Sequence, residues 1–247
     1  AEASWTIIGL AVGTYLNWLI VAKRLRVYSE KIHAITIPDF FAHRFHDKSN
    51  LLMAISALVI VIFFIPYTAA GFASCGKLFS TLCGMDYMYG MIIGGAVIAG
   101  YTILGGFLAE SASDFMQSIV MIVALVSVVT IGVVNAGGFA AVFENADKIP
   151  GFLDFFGLAN PTLYDAGKQI VENGKPLFGE AKPYGILTIC SMMAWGLGYF
   201  GMPQVLLRFM AIRREDELKR SRRIAMVWVV ISLAVAVFIG IIGRQIH

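Results

Sequence analysis

Met192-Met193-Ala194-Trp195-Gly196-Leu197-Gly198-Tyr199-Phe200-Gly201-Met202-Pro203-Gln204 lies inside an apolar segment, residues 184–207, that is long enough to cross a bilayer. Gly196, Gly198, Gly201 and Pro203 fall within eight residues of one another. An interior glycine costs a helix about 1 kcal/mol and an interior proline about 3 kcal/mol. A helix kept only to cross lipid has no use for such a sequence. Breaks at membrane depth are tolerated only where protein or a water-filled cavity satisfies the freed backbone groups, and they serve to offer carbonyls and helix ends to a solute. On a continuous helical path Trp195, Tyr199 and Pro203, spaced i, i+4 and i+8, share one face. An indole, a phenol and a ring suit a small apolar solute with a polar end. A kinked packing helix with aromatic core residues is the plainer reading of the same spacing.

Five further apolar segments flank this one, at 5–21, 51–75, 87–104, 115–134 and 224–242. A bilayer core of roughly 30 Å needs about 20 apolar residues per helix. The composition agrees. Of 247 residues 58% are apolar and only 14% charged, with a mean hydropathy of +0.77; soluble domains carry about 25% charge. Segments so long and so poor in charge are not strands of a membrane barrel, which alternate polar and apolar residues. The chain is expected to be an all-α integral membrane protein, a bundle of six transmembrane helices forming a single transmembrane domain over 1–247. The same figures exclude disorder. Cys75, Cys83 and Cys190 are too few and too scattered for a disulfide framework or a metal site.

Lysine and arginine set the expected orientation. Residues 22–50 carry six and residues 208–223 carry seven, whereas the long loop 135–183 carries four among six acids. Assigning 22–50, 105–114 and 208–223 to the cytoplasm gives an alternating path that starts and ends outside. There is no basic start or cleavage site of a signal peptide. A chain that opens almost directly in a helix is expected to be the internal portion of a longer protein.

Outside the spans, Thr36-Ile37-Pro38-Asp39-Phe40-Phe41 places a capping threonine and an early proline before aromatics. That order predicts a short amphipathic helix at the cytoplasmic interface. Loop 135–183 is expected to form one or two surface helices, the first over 139–149, joined by turns at Gly137-Gly138, Pro150-Gly151, Asn160-Pro161 and Asn173-Gly174.

Chemistry-bearing motifs are sparse. There is no metal-spaced cluster, Walker loop or nucleophile elbow, so an enzyme is not expected. His33, His43 and His46 are read as solvated, and the basic run from Arg213 to Arg223 as positive-inside anchoring rather than a nucleic-acid surface. The small-residue pairs Gly9/Gly13 and Gly90/Gly94 are read as close helix contacts. Pro66 frees the carbonyl of Ile62, and the neighbouring Tyr67 is a candidate for the same cavity as Trp195. Asp114 opens the fourth segment. It marks either an ion path or a carboxylate favoured at a helix N-terminus by the dipole. Gln117 and Ser118, one turn further in, offer neutral oxygens of the kind a hard cation such as sodium takes.

Taken together, these stretches resemble the sodium:solute symporter family, and within it the sodium/proline symporters. The likeness is carried by Leu25-Arg26 through Asp39-Phe40, by Ile55-Ser56-Ala57-Leu58-Val59-Ile60 and by Tyr101-Thr102-Ile103-Leu104-Gly105-Gly106-Phe107-Leu108-Ala109. Its strongest parts are Trp195 through Pro203, Arg208-Phe209-Met210-Ala211 and Arg222-Arg223-Ile224. The order and spacing hold through all six segments. The resemblance implies a LeuT-like inverted-repeat fold, of which these would be a partial bundle, core helices two to seven. It implies sodium-coupled symport of proline or a similar small amino acid across the plasma (inner) membrane, with no cofactor beyond the coupling ion. It further implies solute contacts at Tyr67, Trp195, Tyr199 and Pro203 and a sodium-coupling role for Asp114. The principal family sodium site lies between the first core helix and a later helix, neither of which is in this sequence. Met202 stands where the family often has glutamine. A symporter-like sensor domain of a histidine kinase, or a symporter for another small organic solute, is the alternative.

Overall fold

The computed structural model describes residues 2–162, 170–172 and 175–246. In chain order the helices are α1 (Glu2–Leu16), α2 (Lys23–Lys31), α3 (Ile37–Arg44), α4 (Leu51–Cys83), α5 (Tyr87–Asn135), α6 (Phe139–Asp147), α7 (Ile186–Met193), α8 (Trp195–Gly198), α9 (Pro203–Ala211) and α10 (Glu217–Ile246). Among the described residues four stretches are long and apolar enough to cross a bilayer: Glu2–Lys31, Leu51–Cys83, Tyr87–Asn135 and Glu217–Gly243. The pair Ile186–Gly198 and Pro203–Ala211, bent by 43°, makes a fifth if counted as one broken span. Two compact units are present, residues 1–30 with 123–247, and residues 31–122.

In the first unit α1 packs against α7, α8 and α10. Glycine makes this possible. A Cβ at Gly9 would lie 2.5 Å from the Cα of Met193, and one at Gly13 would collide with the backbone of Gly196. The packing role expected of this pair holds, and its partner is the broken span. Beyond Leu16 the helix passes through a π-helical stretch, Asn17–Ala22, and continues as α2. The first span is therefore longer than the apolar pattern of 5–21. Lysine and arginine are good helix formers, and the basic cluster extends the helix instead of ending it. At the far side α6 covers the facing ends of α5 and α10, burying Val133, Val142 and Ile242, with Phe139 stacked on Phe238 at 5.7 Å.

The loop before α7 departs from expectation. Its described residues form one helix, α6, followed by four short strands, β1 (Gly157–Pro161), β2 (Val171–Glu172), β3 (Lys175–Pro176) and β4 (Phe178–Pro183), paired antiparallel as β1 with β4 and β2 with β3. Helix α6 ends at Asp147, two residues short of the expected 139–149, and Gly151 follows in a turn at φ +74°. Prolines at 161, 176 and 183 deny a further helix the donors it needs but are acceptable in short edge strands. The turn expected at Asn173-Gly174 lies outside the described residues.

In the second unit α3 forms as its sequence predicts. The Thr36 hydroxyl accepts from the Asp39 N–H at 3.2 Å, Pro38 occupies the first turn, and the helix packs on α4. His33, His43 and His46 are all exposed, as expected. Helix α4 passes through Pro66 without interruption. Gly90 and Gly94 sit against it, a Cβ at Gly90 falling 2.8 Å from the Cβ of Phe79.

The turn expected across 105–114 is a kink at one residue. Gly106 has φ 54° and ψ −145°, and the flanking helix resumes at once. That conformation is essentially open only to glycine. Asp114 therefore lies two turns inside a helix rather than at its N-terminus. The dipole effect fades within the first turn, so it does not account for a carboxylate at this place.

Candidate functional site

Proline at 203 dictates the local structure. It has no N–H, so the carbonyl four residues earlier, that of Tyr199, loses its helical donor. The chain answers by stopping. After α7 and a turn at Ala194, α8 makes a single turn, and the N–H groups of Phe200 and Gly201 reach back only three residues, to Leu197 and Gly198 at 3.1 and 3.2 Å. Met202 is extended, with φ −73° and ψ 111°, and α9 restarts with Pro203 in its first turn, where helices accept proline because that N–H has no partner anyway.

The first long helix holds the break. The Asn17 side-chain Nδ2–H donates to the Tyr199 carbonyl at 2.8 Å. Trp18 meets Phe209 of α9 edge-on with ring centroids 4.6 Å apart, and Phe209 is 1% exposed. Arg26 donates through Nε to the Ile212 carbonyl and through Nη2 to that of Arg213 at 3.2 Å. A guanidinium there satisfies carbonyls left over at the end of α9 and faces the negative end of its dipole. Lys23 adds an ion pair with Glu215 at 2.6 Å.

Trp195 and Tyr199 stay on one helical path, one turn apart. Pro203 does not continue their stripe, because extended Met202 intervenes and resets the register. The single-face expectation thus holds for the first two residues and fails for the third. Trp195 is 66% exposed, whereas Tyr199 and Pro203 are half-buried. The indole is consequently not a core residue of this unit. Tyr67 and Asp114 belong to the other unit. Tyr67 is 55% exposed on α4, its ring 5.5 Å from that of Phe64. Asp114 is half-buried in α5; nearby, the Gln117 amide donates to the Ser113 hydroxyl at 3.1 Å and the Ser118 hydroxyl to the Phe115 carbonyl at 2.7 Å. No group of three or more His, Cys, Asp or Glu side chains suited to a metal occurs among the described residues.

Asn17 escaped the sequence reading, although a signal was present. It is a lone amide in an apolar span, and the rule that frees the Ile62 carbonyl at Pro66 also frees that of Tyr199 at Pro203.

Four helices long and apolar enough to cross a bilayer, with a bent apolar pair beside them, define a multi-pass helical membrane protein. The chain belongs to the sodium:solute symporter family, whose family model matches residues 1–247. It is 41% identical over 240 residues to the osmoregulated proline transporter OpuE of Bacillus subtilis, covering 97% of this chain and 44% of that protein. It is 38% identical over 243 residues to a sodium/proline symporter of Staphylococcus aureus, covering 98% of this chain and 43% of that one. The chain thus spans less than half the length of these relatives. No solved structure matches it.

Proposed function

We propose that this chain supplies the solute-binding helices of a sodium-coupled symporter for proline or a similar small amino acid, acting by alternating access in the plasma membrane. The observation that carries the reading is the break at Tyr199–Pro203, clamped on the first helix and bearing the exposed Trp195 indole. Its closest support outside the geometry is the pair of relatives named for proline transport.

Each residue has a role that follows from its chemistry. The Trp195 face attracts a cationic ammonium group and covers a pyrrolidine ring. Tyr199 adds an aromatic wall with a hydroxyl at its tip, and Pro203 keeps the following helix from closing over the backbone. We take Tyr67 as a further solute contact and Asp114 as the acid of sodium coupling, the roles that the resemblance implies for them. Sodium enters as a co-transported ion. Its binding raises solute affinity by the same factor by which solute raises sodium affinity, since linkage is reciprocal.

The architecture we propose is LeuT-like, with the six spans forming one internal part of the transporter. A 49-residue helix is about 73 Å long at 1.5 Å per residue, more than twice a bilayer core of roughly 30 Å. Read as the boundary between two crossings, the kink at Gly106 supports a count of six when the bent pair is taken as one span.

The test is uptake of radiolabelled proline into proteoliposomes holding the complete parent protein, with and without an inward sodium gradient. Uptake that requires sodium and is lost in Trp195→Ala is the expected result. A well-inserted protein that ignores both proline and sodium sinks the proposal.

A further inference from the structure

The buried amide of Asn17 has one end used and one end idle. Its Nδ2–H donates to the Tyr199 carbonyl, while its Oδ1 has no hydrogen-bond partner among the described residues, and the residue is 1% exposed. The acceptor opposite is a carbonyl, so the nitrogen end of the amide is the end that faces it. Leaving a buried acceptor unpaired is costly, and an unsatisfied polar group in a folded interior calls for a reason. Asparagine for packing alone is therefore a poor choice here. What the residue accomplishes is visible in the partner. Tyr199 O is the one carbonyl that Pro203 deprives of its helical donor, and Asn17 supplies a donor in its place.

Neighbouring contacts give this bond a direction. Asn17 opens the π-helical stretch of the first long helix, Trp18 packs on Phe209, and Arg26 holds the carbonyls after α9. The second half of the broken span is thus held along its length by one side of the first helix, with Asn17 at the residue where the helical path ends. Fixing the Tyr199 carbonyl fixes the backbone from which the Tyr199 ring and, one turn back, the Trp195 indole project.

We propose that Asn17 is a positioning residue of the solute site, replacing the hydrogen bond that Pro203 removes and so setting the placement of Tyr199 for the solute. This rests on the reading of Trp195 and Tyr199 as solute contacts.

The complete parent protein tests it. Asn17→Leu keeps the branched shape, somewhat enlarged, and removes the donor; Asn17→Ala serves as a smaller variant where leucine prevents insertion. Sodium-driven proline uptake is expected to show KM raised about tenfold, the loss typical of a buried carbonyl left unpaired, with the maximal rate per inserted molecule within about twofold. In a Pro203→Ala background, where residue 203 again has an N–H for Tyr199, the same Asn17 substitution is expected to raise KM by a clearly smaller factor. A maximal rate that falls with unchanged KM, or an equal factor in both backgrounds, overturns the proposal.

A second readout needs no transport. With Cys75, Cys83 and Cys190 replaced by serine, thiol labelling of Met202→Cys is expected to speed up several-fold when Asn17 is replaced. Unchanged labelling overturns the positioning role. Faster labelling in a protein that does not carry proline upholds it and overturns the solute assignment instead.

Discussion

Gly13 and Gly196 lie backbone against backbone, so that a Cβ on Gly13 would occupy the space of the Gly196 carbonyl, while one on Gly196 would collide with the Gly9 carbonyl. In lipid this closeness is the source of adhesion. Hydrocarbon surrounds all apolar helices equally, and only tight van der Waals contact distinguishes a helix neighbour from a lipid tail. Gly9 and Gly13 of α1 and Gly196 of α8 are thus two sides of one contact, and the same Gly196 that weakens the broken span lets it dock.

Gly13→Ala is expected to destabilise the complete protein by about 1–3 kcal/mol, the usual cost of overpacking where backbone cannot retreat. The measurement is a melting curve in detergent, read beside the wild type. An unchanged midpoint would mean that α1 and α8 separate without penalty.

Trp195→Ala separates stability from binding. The indole is two-thirds exposed in its unit, so its removal opens no cavity there, and the stability read from thermal melts is expected to stay within about 0.5 kcal/mol of wild type, as for surface positions. Proline affinity is expected to fall at least about tenfold, the order of a lost aromatic and cation–π contact. A large drop in stability with unchanged affinity would return Trp195 to a packing role.

Gly106→Ala is expected to cost about 1–3 kcal/mol, because an L-residue is strained at φ 54° and ψ −145°. No side chain would be met, since nothing lies within 4 Å of a Cβ built there. The penalty is purely conformational, so Gly106→Ser should match Gly106→Ala despite its extra oxygen. Thermal melts of both variants check this; a neutral Gly106→Ala would mean that the kink is not required.

The start of α4 carries a pH dependence. Asp47 accepts from the Ser49 N–H at 3.0 Å, the Ser49 hydroxyl at 2.7 Å and the Leu52 N–H at 2.7 Å, and the Ser49 bond above all holds its carboxyl below the usual carboxylate range. A lowered folded value means that the contribution is complete above the ordinary aspartate value near about 3.9 and is lost as pH falls through the folded value. Amide hydrogen exchange at Leu52, corrected for its intrinsic pH dependence, is expected to lose protection only below about pH 4. Asp47→Asn should show the weaker protection at every pH. Wild-type protection no stronger than that of Asp47→Asn at neutral pH would remove the carboxylate from the cap.

What could be read from residues alone was governed by local rules. The apolar runs, the charge asymmetry of the loops, the Thr36-Pro38 start of α3 and the break between Gly196 and Pro203 each follow from groups close together in sequence. Family membership was legible for the same reason, since the motif from Trp195 to Pro203 is contiguous. Failures came where a local signal met a tertiary alternative. Charged residues at 23–26 looked like a helix end because a membrane span should stop there, but Arg26 finds the carbonyls after α9 and the helix continues. The string 105–114 looked like a turn, yet one glycine at positive φ was enough. Loop 135–183 yielded strands because proline spacing forbids long helices without specifying which short segments pair.

Sequence by itself determined that this chain lives in a membrane, where it breaks, and to which family it belongs, because hydropathy, proline and glycine act on their own neighbourhoods. Only the tertiary structure decided who answers for the carbonyl of Tyr199. That donor comes from Asn17, 182 residues away. No periodicity links the two, for the bond exists only once Gly9 and Gly13 have let the first helix lie against the break.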